Sequence, residues 1–141
     1  MIQRVQTIWL LLAAVAGFLL TQVPIYVGSL AGVVARKYSA TENLLMFALA
    51  AVAALLGFIA IFLFKNRKTQ LRLTTIGIFV SIALIAIEVW QIGSFGEANP
   101  TLKGSYYWGA LLPIAMMVFF IMAASNIRKD EKLVKSLDRF R

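Results

Sequence analysis

The sequence predicts an all-α integral membrane protein, a four-helix bundle carrying a cytoplasmic amphipathic C-terminal helix. Three observations point there. Hydrophobic residues make up 61% of the 141 positions and charged residues only 14%, against about 25% charged in an ordinary aqueous domain. The mean hydropathy is +0.84. Four nearly uncharged runs of about twenty residues recur along the chain, each long enough to cross a ~30 Å hydrocarbon core at about 1.5 Å per residue. The runs make residues 1–127 one transmembrane domain and leave residues 128–141 as a basic tail, too short to fold as a separate aqueous domain.

The first span is expected from about Ile8 to Val27, behind the segment Met1–Gln6 with its single cation Arg4. A secretory signal peptide is the competing reading, but the run is longer than a usual apolar core and no small-x-small cleavage site follows closely. The second span covers about Leu44 to Phe64. Ser39 and Glu42 before it have the S-x-x-E spacing of a capping box, which places the helix start near Ala40. The third covers about Leu73 to Ile92, after the basic turn Lys65–Arg72, a reversal short enough to make the second and third helices antiparallel neighbours. Turn formers from Gly93 to Pro100 are expected to end it. The fourth covers about Tyr107 to Ile127.

The fourteen lysines and arginines set the orientation. Arg4, Lys65, Arg67, Lys68, Arg72, Arg128, Lys129, Lys132, Lys135, Arg139 and Arg141 fall on one side, and only Arg36, Lys37 and Lys103 on the other. The positive-inside rule then puts both termini in the cytoplasm, with the chain in the cytoplasmic membrane. Tyr26, Trp90, Tyr106, Tyr107 and Trp108 agree as an outer aromatic belt, with Trp9 at the inner boundary.

Composition narrows the chemistry. Neither cysteine nor histidine occurs, which argues against thiolate nucleophiles, Cys or His metal centres, haem and iron–sulfur ligation, and imidazole proton transfer. The expectation is a non-enzyme without a cofactor. Five of the six carboxylates lie outside the apolar runs. Glu88 is the exception and thus a candidate intramembrane polar site. It stands about 22 Å along the span counted from Leu73, hence ~7 Å from the outer boundary, where an interfacial structural role competes with a part in proton or cation transport.

Small residues offer a packing signal. Ala50, Ala53, Ala54, Gly57 and Ala60 recur three and four apart in the second span, and Ala13 with Gly17 repeats the spacing in the first. Such faces let helix backbones approach where lipid supplies no hydrophobic drive, within one bundle or between subunits. Pro24 and Pro113 sit at or near span ends, where a kink is tolerated. In the tail, Leu133, Val134, Leu137 and Phe140 form an apolar stripe among Arg128, Lys129, Lys132 and Lys135, and Glu131 is spaced to pair with Lys135. A basic amphipathic helix of this kind lies on the anionic inner leaflet or docks on a membrane-protein partner or a second copy. Interspersed acidic residues and the lack of a base-stacking surface argue against nucleic acid.

Three segments carry a resemblance that covers the whole chain in order: Met1–Gln6, Phe62–Lys68 with Gln70–Arg72, and Ile127–Val134 with Asp138–Arg141. Together they resemble the bacterial domain-of-unknown-function 4293 family. The resemblance implies a small four-span membrane protein and brings no known reaction or catalytic residue with it. The function expected on these grounds is that of a non-catalytic accessory or scaffold subunit. The alternative is a small proton- or cation-coupled transporter using Glu88.

Overall fold

The computed structural model describes residues 2–141, with the backbone alone for residues 2–4 and 35, so the side chain of Arg4 lies outside the described residues. The chain is 74% helical. Its order is α1 (Ile2–Leu20), β1 (Pro24–Leu30), β2 (Val33–Ser39), α2 (Leu44–Phe62), α3 (Arg67–Ala98), β3 (Lys103–Tyr106) and α4 (Leu112–Asp138), with short 3-10 turns at Ala40–Glu42 and Trp108–Leu111. Helix α1 packs on α2 and α4, and α3 packs on the same two, so the four helices close into a ring of neighbours. One end of the ring carries the sheet. The other carries the α2–α3 turn and the end of α4.

The all-α expectation is corrected by the sheet, whose strands lie in the order β2-β1-β3, antiparallel throughout. The first helix stops at Leu20 instead of running to Val27. Pro24 has no amide proton to continue a helix, and the β-branched residues around it suit a pleated surface. Strand β1 then buries Ile25 and Val27 against the helices while Leu30 stays exposed. The hairpin turns on Ala31 (φ 51°) and Gly32 (φ 83°), the pair of positive φ values that a type I′ turn requires. Tyr26 stands between Tyr38 and Tyr106 on the neighbouring strands. The sheet is riveted to α3 at Phe95: Tyr26 meets that ring edge-on at 5.8 Å, Tyr38 packs at 5.5 Å, and the Tyr38 hydroxyl donates to Gln91 Oε1 at 3.4 Å. Arg36 adds a guanidinium 5.4 Å from the same ring.

Further boundaries differ from the sequence expectation, and α3 already begins at Arg67, inside the basic segment Lys65–Arg72 expected as the turn, because Asn66 caps it by accepting from the Thr69 amide. Helix α2 does not start near Ala40. Ser39 makes no side-chain cap there, and Asn43 instead accepts from the Met46 amide at 3.1 Å, so the helix begins at Leu44. Glu42 is drawn off to an exposed pair with Arg36 at 3.7 Å. Helix α3 runs through Gly93 and Gly96 to Ala98, about 48 Å in all. The glycines are tolerated because Phe95 is anchored under the sheet, and Pro100 closes the helix by keeping Asn99 out of the α region. The fourth apolar run starts not with α-helix at Tyr107 but with a 3-10 turn, and Pro113 lies in the first turn of α4, where a missing amide proton is harmless. From Leu112 the helix continues unbroken to Asp138, so span and tail are one element.

The interior is filled by Leu10, Leu20, Met46, Leu84, Met116 and Phe120, all fully buried. Where α3 meets α4, Gly77 makes room for the Phe120 ring, whose atoms would lie 2.7–2.9 Å from an added Cβ. Three helices, α2, α3 and α4, are long and apolar enough to cross a membrane, while the apolar stretch of α1, Val5–Leu20, is shorter.

Candidate functional site

The buried stripe of α3 runs Gln70, Thr74, Gly77, Ser81, Leu84, Glu88, Ile92, Phe95, steps of three and four that keep one helical face inward. The hydroxyls on it are satisfied locally: Thr74 donates to the Gln70 carbonyl and Ser81 to the Gly77 carbonyl, each at 2.8 Å. Glu88 is not. It is 5% exposed and, among the described residues, its carboxylate has neither a hydrogen bond nor an ion pair. It opens instead on a cleft of about 360 Å³ formed where α3 faces β3, the following 3-10 turn and the start of α4.

The cleft is lined by the aliphatic side chains of Ile85, Val89, Ala110, Leu111 and Ile114 and by three aromatic residues, Tyr106, Tyr107 and Trp108. These three rings are exposed, and Tyr107 and Trp108 pack together at 6.3 Å between centroids. Their position follows from the strand pairing. Tyr106 ends β3 opposite Tyr26, and the Tyr107 amide donates to the Ile25 carbonyl at 2.8 Å, which pins this aromatic segment to the central strand. The arrangement offers one buried carboxyl group and three aromatic rings on the walls of one recess. It can hold a cation or a hydrogen-bond donor. Within the described residues no cluster of three or more His, Cys, Asp or Glu could hold a metal ion.

A second polar group occupies the opposite end and was not singled out from the sequence. Asp130 is 5% exposed although it follows two exposed cations, Arg128 and Lys129. Gln6 of α1 donates from Nε2 to its Oδ2, and Arg67 of α3 donates to its backbone carbonyl at 3.3 Å. Gln70 donates to the Ala60 carbonyl at 2.9 Å. Together Gln6, Arg67, Gln70 and Asp130 cross-link the four helices at this end. The signal available in sequence was faint: in the helical pattern Asp130 falls three residues after the buried Ile127.

The other predicted residues fall in three places. Ala50, Ala53, Gly57 and Ala60 are buried and Ala54 half-buried, facing α1. An added Cβ on Gly57 would lie 3.0 Å from the Leu10 carbonyl oxygen, and one on Gly17 would lie 3.0 Å from Ala54 Cβ, so the small residues set the α1–α2 approach within the chain. Arg128, Lys129, Lys132, Leu133, Lys135, Leu137 and Phe140 are exposed on α4 and the residues just after it, and Lys135 pairs with Glu131 at 3.0 Å. Of the expected aromatic belt, Trp90 is exposed, whereas Trp9 stacks on Phe119 at 6.0 Å.

The family model for a domain of unknown function, DUF4293, matches residues 2–140. The chain belongs to that family. No curated protein and no solved structure matches it. Membership in DUF4293 therefore agrees with the resemblance carried by the basic segments and brings no reaction to test against the cleft.

Proposed function

We propose that the chain is a four-span bundle of the bacterial cytoplasmic membrane, both ends cytoplasmic, serving without catalysis as an accessory or scaffold subunit of a larger membrane complex. Helix α1 joins the other three helices as a span, since its nineteen residues, as many as α2 has, reach about 28 Å. All four helices turn large apolar side chains outward, among them Phe18, Leu55, Phe79 and Ile121, as a lipid-facing surface does. The observation that carries the accessory role is the unbroken run of α4 past the helical ring. Its extension exposes Leu133, Val134 and Leu137, and Phe140 beyond it is 89% exposed. An apolar stripe of this kind is the anchor of helix-in-groove recognition. The flanking lysines and arginines favour a site at the anionic inner leaflet.

The transporter reading has the Glu88 cleft in its favour. Against it, the middle of the bundle is occupied by Phe120 seated on Gly77, and a translocation path would have to displace both. Purification of the native protein in mild detergent tests the choice. A stoichiometric partner that is lost on truncation after Arg128, with insertion intact, is the expected outcome. A lone chain or homodimer supporting cation-coupled flux in vesicles would overturn it. Reporter fusions at both termini check the topology, and an exported carboxyl end would refute it.

A further inference from the structure

We propose that the cleft formed by Glu88 with Tyr106, Tyr107 and Trp108 binds an organic ammonium ion. The inference stands apart from the accessory role, since it needs neither a partner protein nor a route across the bilayer. It starts from a buried carboxylate that nothing in its surroundings satisfies: Glu88 is 5% exposed and unpartnered among the described residues, while Thr74 and Ser81 on the same face are bonded. A buried charge of this kind is stabilised by an opposite charge or by a proton. The adjoining recess, about 360 Å³, is much larger than a proton or a single water requires.

The chemistry of the walls selects among cations. A hard metal ion such as calcium takes six to eight oxygen ligands, and magnesium an octahedron of them. Glu88 is the single carboxylate lining this cleft, and the remaining walls are aliphatic and aromatic. Aromatic faces instead attract weakly hydrated cations through the ring quadrupole, the mode by which quaternary ammonium groups are held. Tyr106, Tyr107 and Trp108 line the same cleft as Glu88, so a cation held there has both aromatic rings and a carboxylate within the one recess. The aromatic residues are tied to the central strand, through the Tyr107 amide to the Ile25 carbonyl at 2.8 Å and the edge-on contact of Tyr106 with Tyr26 at 5.4 Å. Two sources carry this chemistry, a free amine in solution and the ammonium of a phosphatidylethanolamine headgroup. Both present the same group to Glu88.

The test uses the full chain, delipidated in maltoside micelles, titrated with tetraethylammonium chloride against sodium chloride at equal ionic strength. Tryptophan fluorescence and melting temperature are read. The expected result is a saturable response to tetraethylammonium alone. It should be abolished by Glu88→Gln and weakened at least tenfold by Trp108→Leu, the latter followed by melting temperature, with circular dichroism and elution volume unchanged in both variants. Repeating the titration in nanodiscs separates the sources. Loss of the response in phosphatidylethanolamine discs but not in phosphatidylglycerol discs assigns the site to the headgroup, and an equal response in both assigns it to a free amine. A wild-type response no different from sodium, or a Glu88→Gln variant that still binds, overturns the proposal.

Discussion

Replacing Gly77 by valine tests whether α3 and α4 meet as closely as the structure has them. An added Cβ would lie 2.7, 2.8 and 2.9 Å from three atoms of the Phe120 ring, whereas carbon atoms rest at about 3.5–4.0 Å. The ring would therefore have to retreat by roughly 0.7 Å, and it is fully buried in the same core as Met116 and Leu84. Overpacking of that order costs about 1–3 kcal/mol. The propensity gained on replacing glycine offsets only a few tenths for a β-branched residue, roughly 0.4 kcal/mol. We expect Gly77→Val to destabilise by about 1–2.5 kcal/mol and Gly77→Ala, which recovers close to 1 kcal/mol of propensity, by about 0–2 kcal/mol. Phe120→Leu alone loses buried surface at a cost of about 2 kcal/mol. Combined with Gly77→Val, however, it frees the space that the new methyls need. The double variant should be less destabilised than the sum by at least about 1 kcal/mol. Reversible unfolding in mixed micelles, titrated with dodecyl sulfate and followed by circular dichroism, supplies the four stabilities. Additivity to within about 0.5 kcal/mol would mean that the two residues do not touch, and the reasoning would fail.

Three other perturbations probe the sheet. Ala31 holds a positive φ of 51° in the exposed hairpin turn, a conformation that disfavours alanine by about 1–2 kcal/mol and that asparagine visits more readily, so Ala31→Asn should stabilise by about 0.5–1 kcal/mol in the same assay; a loss of stability would contradict the turn. Gly109→Ala would drive a methyl into the Pro24 carbonyl oxygen, a backbone atom that cannot swing aside, with an expected cost of about 2 kcal/mol and faster hydrogen exchange at the Tyr107 amide. Burial, and then the charge of Glu42, push the Tyr38 phenol above its ordinary value of 10.0. With the folded value the higher one, the stabilisation is complete below the unfolded value and is lost as pH rises through the folded one. The hairpin should therefore loosen above pH 10 in wild type and show a weaker alkaline transition in Tyr38→Phe, read by melting temperature against pH; identical profiles would count against the burial of that ring.

Much of the fold was legible in the sequence, for reasons that can be named. Apolar runs interrupted by Lys65–Arg72 and by Gly93–Pro100 mark helices and a reversal because lipid and backbone hydrogen bonding leave a long apolar segment few other forms. The sheet was not read, although Pro24, the β-branched residues of β1 and β2, and the Ala31-Gly32 pair carried its signal. The cause is that hydropathy does not distinguish Val23–Val27 as the end of an apolar helix from the same residues as a buried strand. Glu88 could be singled out by its charge alone, but its cleft could not. The lining residues Tyr106, Tyr107 and Trp108 belong to a segment whose place depends on pairing with a strand some eighty residues earlier in the chain. Asp130 was hidden among cations for a similar reason, its partners Gln6 and Arg67 coming from two other helices. By itself the sequence determined which segments are apolar, which positions along them are small, and where the basic residues cluster, since all of these follow from local composition and period. Only the tertiary structure decided where α1 stops, how the sheet caps one end, and which groups surround Glu88, because each of those depends on contacts between residues far apart in the chain.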